Sequence, residues 1–172
     1  GIRPCDAYSF ELVRRNFDTE EYKDPYWLSA YEATTFVGLA CDNPCPTCFC
    51  TSAGSGPYSD KSLDILIVDN GDHYVAELLT EKGENLAASA GWESDAGDAA
   101  DAIEKKRADA ESKIAAKVRT DNLAKQPLNA LHEAEAAIWE KEAFACINCG
   151  TCTYACPTCW CFDVQDEVHG KE

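Results

Sequence analysis

The sequence lacks several features that mark common classes of protein. It has no methionine, only three histidines, and no apolar run approaching the roughly 18 residues of a membrane-spanning helix. It shows no signal peptide, no G-x-G-x-x-G fingerprint and no pairing of a nucleophile with histidine, so we expect no catalytic site within this chain. Because the chain begins at Gly1, we expect a processed N-terminus or a piece of a longer protein.

Positive charge is also scarce. Fifteen Lys and Arg residues stand against 31 Asp and Glu residues, which gives a formal net charge of -16. This balance argues against nucleic acid and against anionic membrane surfaces as partners. It suits a partner with basic docking patches, and the alternative is a solvated acidic surface or an adaptation to salt.

Cysteine, by contrast, is abundant and clustered, with six of the 11 cysteines in residues 145–163, A-C-I-N-C-G-T-C-T-Y-A-C-P-T-C-W-C-F-D. The order C-x2-C-x2-C-x3-C-P is the bacterial-ferredoxin run for a [4Fe-4S] cluster, in which soft thiolates bind the four corners of the cubane. In two-cluster ferredoxins the fourth cysteine of this run serves the other cluster. The candidate ligands are Cys146, Cys149, Cys152 and Cys156.

Two other uses of these cysteines fit the spacing less well. Zinc sites usually need only four ligands, from two C-x2-C pairs that are set well apart. Disulfides between close neighbours such as Cys159 and Cys161 form only with strain. Iron–sulfur chemistry is therefore the leading interpretation, with a zinc site as the main alternative.

A second cysteine group occupies residues 41–50, C-D-N-P-C-P-T-C-F-C, and its C-P-T-C-F-C echoes C-P-T-C-W-C at residues 156–161. Two prolines predict a rigid loop. The small residues 51–57 follow. Such a loop can offer N–H donors to sulfur or phosphate, and a plain flexible connection is the alternative. Cys5 lies just before a helix that we expect Asp6 to cap, a position that lowers a thiol's pKa, although a lone buried cysteine is equally consistent with the pattern.

The remaining patterns predict an α+β fold with a small mixed sheet, a helical hairpin and ferredoxin-like cluster-binding loops. Apolar residues at positions 10, 13 and 17 mark one helix face, and residues 34–40 read as a buried strand. Residues 63–68 and 73–79 predict a hairpin around Asn70-Gly71, with His73 on the surface. Residues 87–97 read as a mobile crossing, residues 98–119 as one long helix, and Pro127 as the start of a second helix that ends near Phe144. The predicted divisions are 1–93, an α/β domain with an N-terminal iron–sulfur site; 94–144, the helical hairpin; and 145–172, the ferredoxin-type segment.

With both cysteine groups in view, the chain resembles the iron–sulfur β subunit of cytoplasmic sulfhydrogenases and related Ni/Fe hydrogenases. It is also similar to an iron–sulfur subunit of anaerobic sulfite reductase and to electron-transfer subunits associated with heterodisulfide reductase. The resemblance lies in G-I-R-P-C-D at residue 1, in A-C-D-N-P-C-P-T-C-F-C-T-S-A-G-S-G-P at residues 40–57, and in the C-terminal run. It implies a cytoplasmic subunit with at least two [4Fe-4S] clusters, which relays electrons between a catalytic subunit such as a Ni/Fe hydrogenase and a flavin/NAD(P)-binding subunit.

The resemblance also implies a ligand set for the N-terminal cluster: Cys5, Cys41, Cys48 and Cys50. The family has glycine where this chain has Cys45, so Cys45 is expected to be surplus. The family continues into a further C-x2-C-x2-C run beyond the end of this chain, which leaves Cys159 or Cys161 as alternatives to Cys156 in the second cluster. Ile147, Tyr154, Trp160 and Phe162 are candidates for an apolar shell around it. The rival functions are a zinc-stabilised docking scaffold and a subunit whose open-site cluster binds a substrate.

Overall fold

The computed structural model describes residues 1–93, 97, 99–115, 118, 120 and 136–159. These residues form the predicted α+β fold around a three-stranded mixed sheet. Within these ranges every helix is too short or too polar to span a bilayer. The elements in chain order are α1 (Pro4–Phe17), α2 (Pro25–Ala33), β1 (Val37–Leu39), a 3₁₀ turn (Cys50–Ala53), β2 (Ile65–Asp69), β3 (Tyr74–Leu78), α3 (Glu81–Ala90), α4 (Ala99–Ser112), α5 (Ala136–Phe144) and α6 (Thr151–Ala155).

Strand β2 is the centre of the sheet. It pairs in parallel with β1 and antiparallel with β3, and its sequence I-L-I-V-D is apolar almost throughout. A strand covered on both faces needs such a run, because neither face meets water. Leu66 and Val68 pack in one core with Ala7 of α1 and Ala110 of α4.

The other face of β2 meets α3 at Gly83. A Cβ at Gly83 would lie 2.3 Å from the carbonyl oxygen of Asp64, so only glycine lets the helix approach this closely. The Asp64 carboxylate is buried, and it accepts hydrogen bonds from the Phe36 N–H at 2.7 Å and from the Thr80 hydroxyl at 2.5 Å. These bonds hold the chain entering β1 and the start of α3 against the same strand.

The N-terminal residues extend this sheet beyond β1. Ile2 forms an isolated parallel bridge with Gly38, where a Cβ would lie 2.5 Å from a Leu63 methyl carbon. Cys5 and Cys41 each follow a bridged residue by three positions. Because the bridge is parallel, both cysteines leave the sheet at the same edge.

Helix α1 is present as predicted, but it begins three residues earlier than expected. Arg3 is the N-cap residue and Pro4 opens the helix, so the prediction that Asp6 caps it is wrong. Proline is favoured at the first helical position because its φ is already helical and its missing N–H has no partner there. Cys5 therefore lies inside the first turn.

Aromatic contacts hold α1 against its neighbours. On the predicted apolar face, the Phe10 ring lies 4.9 Å from that of Phe36, and Phe17 stacks on Trp27 of α2 at 5.4 Å. Helix α2 was not predicted. Its sequence signal is Asp24 followed by proline, and the Asp24 carboxylate accepts hydrogen bonds from two N–H groups of the first turn.

The predicted hairpin is confirmed, with residues 70–73 between β2 and β3. The Asn70 N–H donates to the His73 carbonyl at 2.9 Å, and Gly71 has a φ of +97°. His73 is exposed, as expected. The strand predicted over residues 34–40 is shorter than expected, because β1 covers only Val37–Leu39.

The region after the hairpin departs most from the sequence patterns. The crossing predicted over residues 87–97 is wrong at its start, because α3 runs to Ala90 and buries Ala87 before Gly91 closes it in the left-handed conformation. The helix predicted over residues 98–119 ends at Ser112. Helix α5 ends at Phe144, where the second predicted helix was expected to end. The predicted start of that helix at Pro127, and its predicted pairing with the first helix of the hairpin, lie outside the described residues.

Candidate iron–sulfur site

A cavity of about 710 Å³ lies between the first turn of α1 and the loop of residues 41–57. All five N-terminal cysteines line it: Cys5, Cys41, Cys45, Cys48 and Cys50. The parallel bridge at Ile2 explains why Cys5 meets the loop that follows β1. A cofactor at the carboxyl end of parallel β-structure is a common arrangement.

The start of α1 forms one wall of this cavity and brings both the Arg3 guanidinium and the Asp6 carboxylate to it. Its residues 3–6 line the cavity, where the first N–H groups of a helix have no partners within the helix. The positive end of the helix dipole favours an anionic group there. The Arg3 guanidinium, fixed by a 2.8 Å hydrogen bond to the Ala40 carbonyl, adds a full charge.

Three of the cavity thiols nevertheless have raised pKa values. Burial raises the pKa of Cys41 and of Cys50. Burial and then the charge of Asp6 raise the pKa of Cys5, so the prediction that the helix start lowers this pKa is wrong. A bound cation would offset this by stabilising the thiolate form.

The turn at Cys45 places backbone against sulfur. The Cys48 N–H donates to the Cys45 carbonyl at 2.9 Å, and the Cys45 N–H lies 3.1 Å from the Cys48 sulfur, to which it donates. Residue 45 thus donates its main-chain N–H to the Cys48 sulfur, and any residue other than proline would supply this donor.

The C-terminal cysteine run forms an exposed loop and a short helix. Asn148 and Gly150 both adopt left-handed backbone, with φ of +55° and +71°, and the Asn148 N–H donates to the Cys146 sulfur at 3.4 Å. Cys152 lies in α6 and Cys156 ends it. The left-handed residues turn the chain sharply between the first three cysteines of the run, as a loop wrapped around one cluster requires.

Two threonines that the sequence analysis missed support thiolates in this run. The Thr151 hydroxyl lies 3.2 Å from the Cys149 sulfur, and the Thr158 hydroxyl lies 3.2 Å from the Cys156 sulfur. These hydrogen bonds lower the pKa of both cysteines. The sequence signal is a threonine two residues after a cysteine.

The repeated C-P-T-C segments adopt the same turn. The Cys159 N–H donates to the Cys156 carbonyl at 3.0 Å, as the Cys48 N–H donates to that of Cys45 at 2.9 Å. The two turns also meet, because residues 156–158 line the cavity of the N-terminal cysteines. Cys159 is half-buried outside that lining, and Cys161 lies outside the described residues.

Other parts of the expected site are not assembled. Ile147 and Tyr154 are 84% and 94% exposed, so the prediction that they form an apolar shell is wrong, while Trp160 and Phe162 lie outside the described residues. In the described part of the chain, no three His, Cys, Asp or Glu side chains converge tightly enough to hold a single metal ion.

The residues present fit an iron–sulfur cluster. The donors are soft thiols, two sulfurs already accept hydrogen bonds from main-chain N–H groups, and a helix N-terminus faces the cavity. The Ser55 hydroxyl oxygen is buried at the cavity wall without a hydrogen-bond partner among the described residues. A group rich in sulfur acceptors would satisfy it.

Comparison with known proteins agrees with this fit. Residues 145–172 match the model of a 4Fe-4S dicluster domain. The chain is 27% identical over 179 residues to sulfhydrogenase 2 subunit beta of Pyrococcus furiosus, an alignment that covers 96% of this chain and 48% of that protein. The chain is similar to a sulfhydrogenase β subunit. The resemblance inferred from the cysteine motifs is thereby confirmed.

The similarity covers only part of the relative. The chain spans about half the length of the curated relative it matches. No solved structure matches it. The dicluster match and the sulfhydrogenase homologue together support [4Fe-4S] binding and iron–sulfur electron transfer.

Proposed function

We propose that this chain is the iron–sulfur electron-transfer subunit of a cytoplasmic, multisubunit oxidoreductase. It would relay electrons between a catalytic subunit such as a Ni/Fe hydrogenase and a flavin/NAD(P)-binding subunit. The homologue is a subunit of a sulfhydrogenase, which supports partners of this kind. The net charge of -16 fits docking to basic patches on those partners.

The proposal assigns two clusters to the two cysteine groups. The N-terminal cluster would be held by Cys5, Cys41, Cys48 and Cys50, and the C-terminal cluster by Cys146, Cys149, Cys152 and Cys156, with Cys159 and Cys161 as the alternative fourth ligands. When bound, such clusters supply reversible one-electron transfer. The protein contributes thiolates, N–H···S hydrogen bonds and the helix start, which together set the potential.

The observation that best supports electron transfer between the two clusters is that the end of the C-terminal run lines the N-terminal cavity. Cys156 is the fourth cysteine of its run, and Pro157 and Thr158 continue the cavity wall. A ligand of one cluster that also borders the site of the other brings the two within a side chain of each other. Electrons would then pass directly between the proposed domain 1–93 and segment 145–172, which residues 94–144 connect in the sequence.

Electron paramagnetic resonance of the anaerobically prepared, iron-loaded chain tests this arrangement. With both clusters reduced we expect a broadened or split spectrum, because two paramagnets this close interact magnetically. Cys149→Ser should remove the C-terminal cluster and leave a simple N-terminal spectrum. A fully reduced spectrum that equals the sum of two independent signals would contradict the relay.

A further inference from the structure

Ser55 places a buried, unpartnered hydroxyl at the wall of this cavity. Its Oγ is buried and has no hydrogen-bond partner among the described residues. Buried hydroxyls almost always find a partner, since desolvation without one is costly. The residue lines the same cavity as the five N-terminal cysteines, so the missing partner is expected in that cavity.

The main chain fixes Ser55 at this wall. Its N–H donates to the Cys50 carbonyl at 3.0 Å, and Gly54 before it adopts a φ of +81° that favours glycine. Two residues later, the Pro57 carbonyl accepts a hydrogen bond from the Cys41 N–H at 2.9 Å. The loop is therefore tied to two of the candidate ligands, to Cys50 at Ser55 itself and to Cys41 at Pro57, which keeps Ser55 beside them.

Ser52 provides a contrast within the same loop. Its Oγ already accepts a hydrogen bond from the Val118 N–H at 3.1 Å, and the residue does not line the cavity. The two serines are three positions apart, yet one hydroxyl is engaged outside the cavity and the other is unpartnered at its wall. This difference gives Ser55 a role that Ser52 does not share.

We propose that the Ser55 hydroxyl donates an O–H···S hydrogen bond to the N-terminal cluster, either to a sulfide or to a ligating thiolate, and thereby raises the reduction potential of that cluster. The inference rests on the proposed function, because it requires a cluster in this cavity. Reduction adds negative charge to the sulfurs, so a donor stabilises the reduced form more than the oxidised form. Ser55 is thus a positioning and tuning residue and not a ligand.

A redox titration of the iron-loaded chain monitored by electron paramagnetic resonance tests this inference. Ser55→Ala should keep the full iron content but lower the potential of one of the two reduction steps. For that step we expect the equilibrium constant for reduction to fall about tenfold in Ser55→Ala. This corresponds to a reduction potential lower by about 59 mV for a one-electron couple. Ser55→Thr, which keeps the hydroxyl, should restore the potential, and Ser52→Ala should leave it unchanged.

A second measurement compares exchangeable protons at the cluster. In D₂O, the reduced N-terminal cluster should show a coupled exchangeable deuteron by electron–nuclear double resonance, and Ser55→Ala should lose this coupling. An unchanged potential in an iron-replete Ser55→Ala protein, an equal shift in Ser52→Ala, or the same deuteron couplings in both proteins would overturn the role of Ser55. These outcomes leave the cluster in place, whereas a wild-type chain without any iron–sulfur signal would instead overturn the proposed function.

Discussion

Cys48→Ser should abolish or strongly alter the resonance signal of the reduced N-terminal cluster, whereas Cys45→Ser should keep it. Five cysteines line the cavity, and the cluster that we propose there has four corners, so one cysteine would be spare. The Cys45 N–H donates to the Cys48 sulfur, a hydrogen bond of the main chain that serine at position 45 retains. We expect the Cys45 side chain itself to be surplus, because the prolines on both sides restrict its reach.

The matched comparison for this pair is Cys5→Ser. Cys5 lies in the first turn of α1, opposite the loop, and its loss should remove one corner of the cluster. Spectra of the three variants at equal protein concentration measure the outcome. If Cys45→Ser destroys the signal while Cys5→Ser retains it, then Cys5 is the spare thiol and the assignment is wrong.

Removal of iron should loosen the cysteine loops and leave the sheet intact. Residues 41–57 and 146–158 have few buried side chains, so we expect their order to depend on a cluster that their thiols ligate. Chelation should speed amide exchange in these loops at least tenfold, equivalent to about 1.4 kcal/mol of lost local stability. Strands β2 and β3 should change little, because Leu66 and Val68 hold them in the core.

Hydrogen exchange followed by mass spectrometry, with and without iron, measures this difference. Peptides from residues 65–78 are the internal control, since they cover the hairpin and contain no cysteine. Equal protection of the cysteine loops in both states would show that metal does not order them.

The sequence predicted the structure best where the signal comes from a few neighbouring residues. The cysteine spacing at residues 146–156 indicated a cluster-binding run, and the dicluster match supports it. The Asn70-Gly71 turn between two apolar segments predicted the hairpin for a comparable reason, because turn chemistry acts over a few residues. The α+β class followed from these strands together with the alanine-rich helical segments.

Where tertiary contacts decide, the patterns were misleading. Alanine and glycine near residue 87 suggested a mobile crossing, yet Ala87 is buried in α3 and Gly83 allows that helix to approach β2. The high helix propensity after Ser112 suggested that α4 continues, but Ile114 turns into the core beyond its end. Propensity is a weak guide once packing competes with it.

The environment of the site was equally hidden. A thiol at a helix start usually has a lowered pKa, but burial and the charge of Asp6 raise that of Cys5. The contact of residues 156–158 with the N-terminal cavity joins segments about 100 positions apart in the sequence, which no local spacing reveals. The unpartnered hydroxyl of Ser55 emerged only once its surroundings were assembled.

Iron and acid-labile sulfide analysis of the anaerobically purified chain tests the central claim most directly. Two [4Fe-4S] clusters predict about eight irons and about eight sulfides per chain, together with the brown colour of such clusters. Zinc without labile sulfide, in a colourless protein, would favour the docking scaffold. Four or fewer irons in fully loaded protein would contradict the presence of two clusters and, with it, the relay.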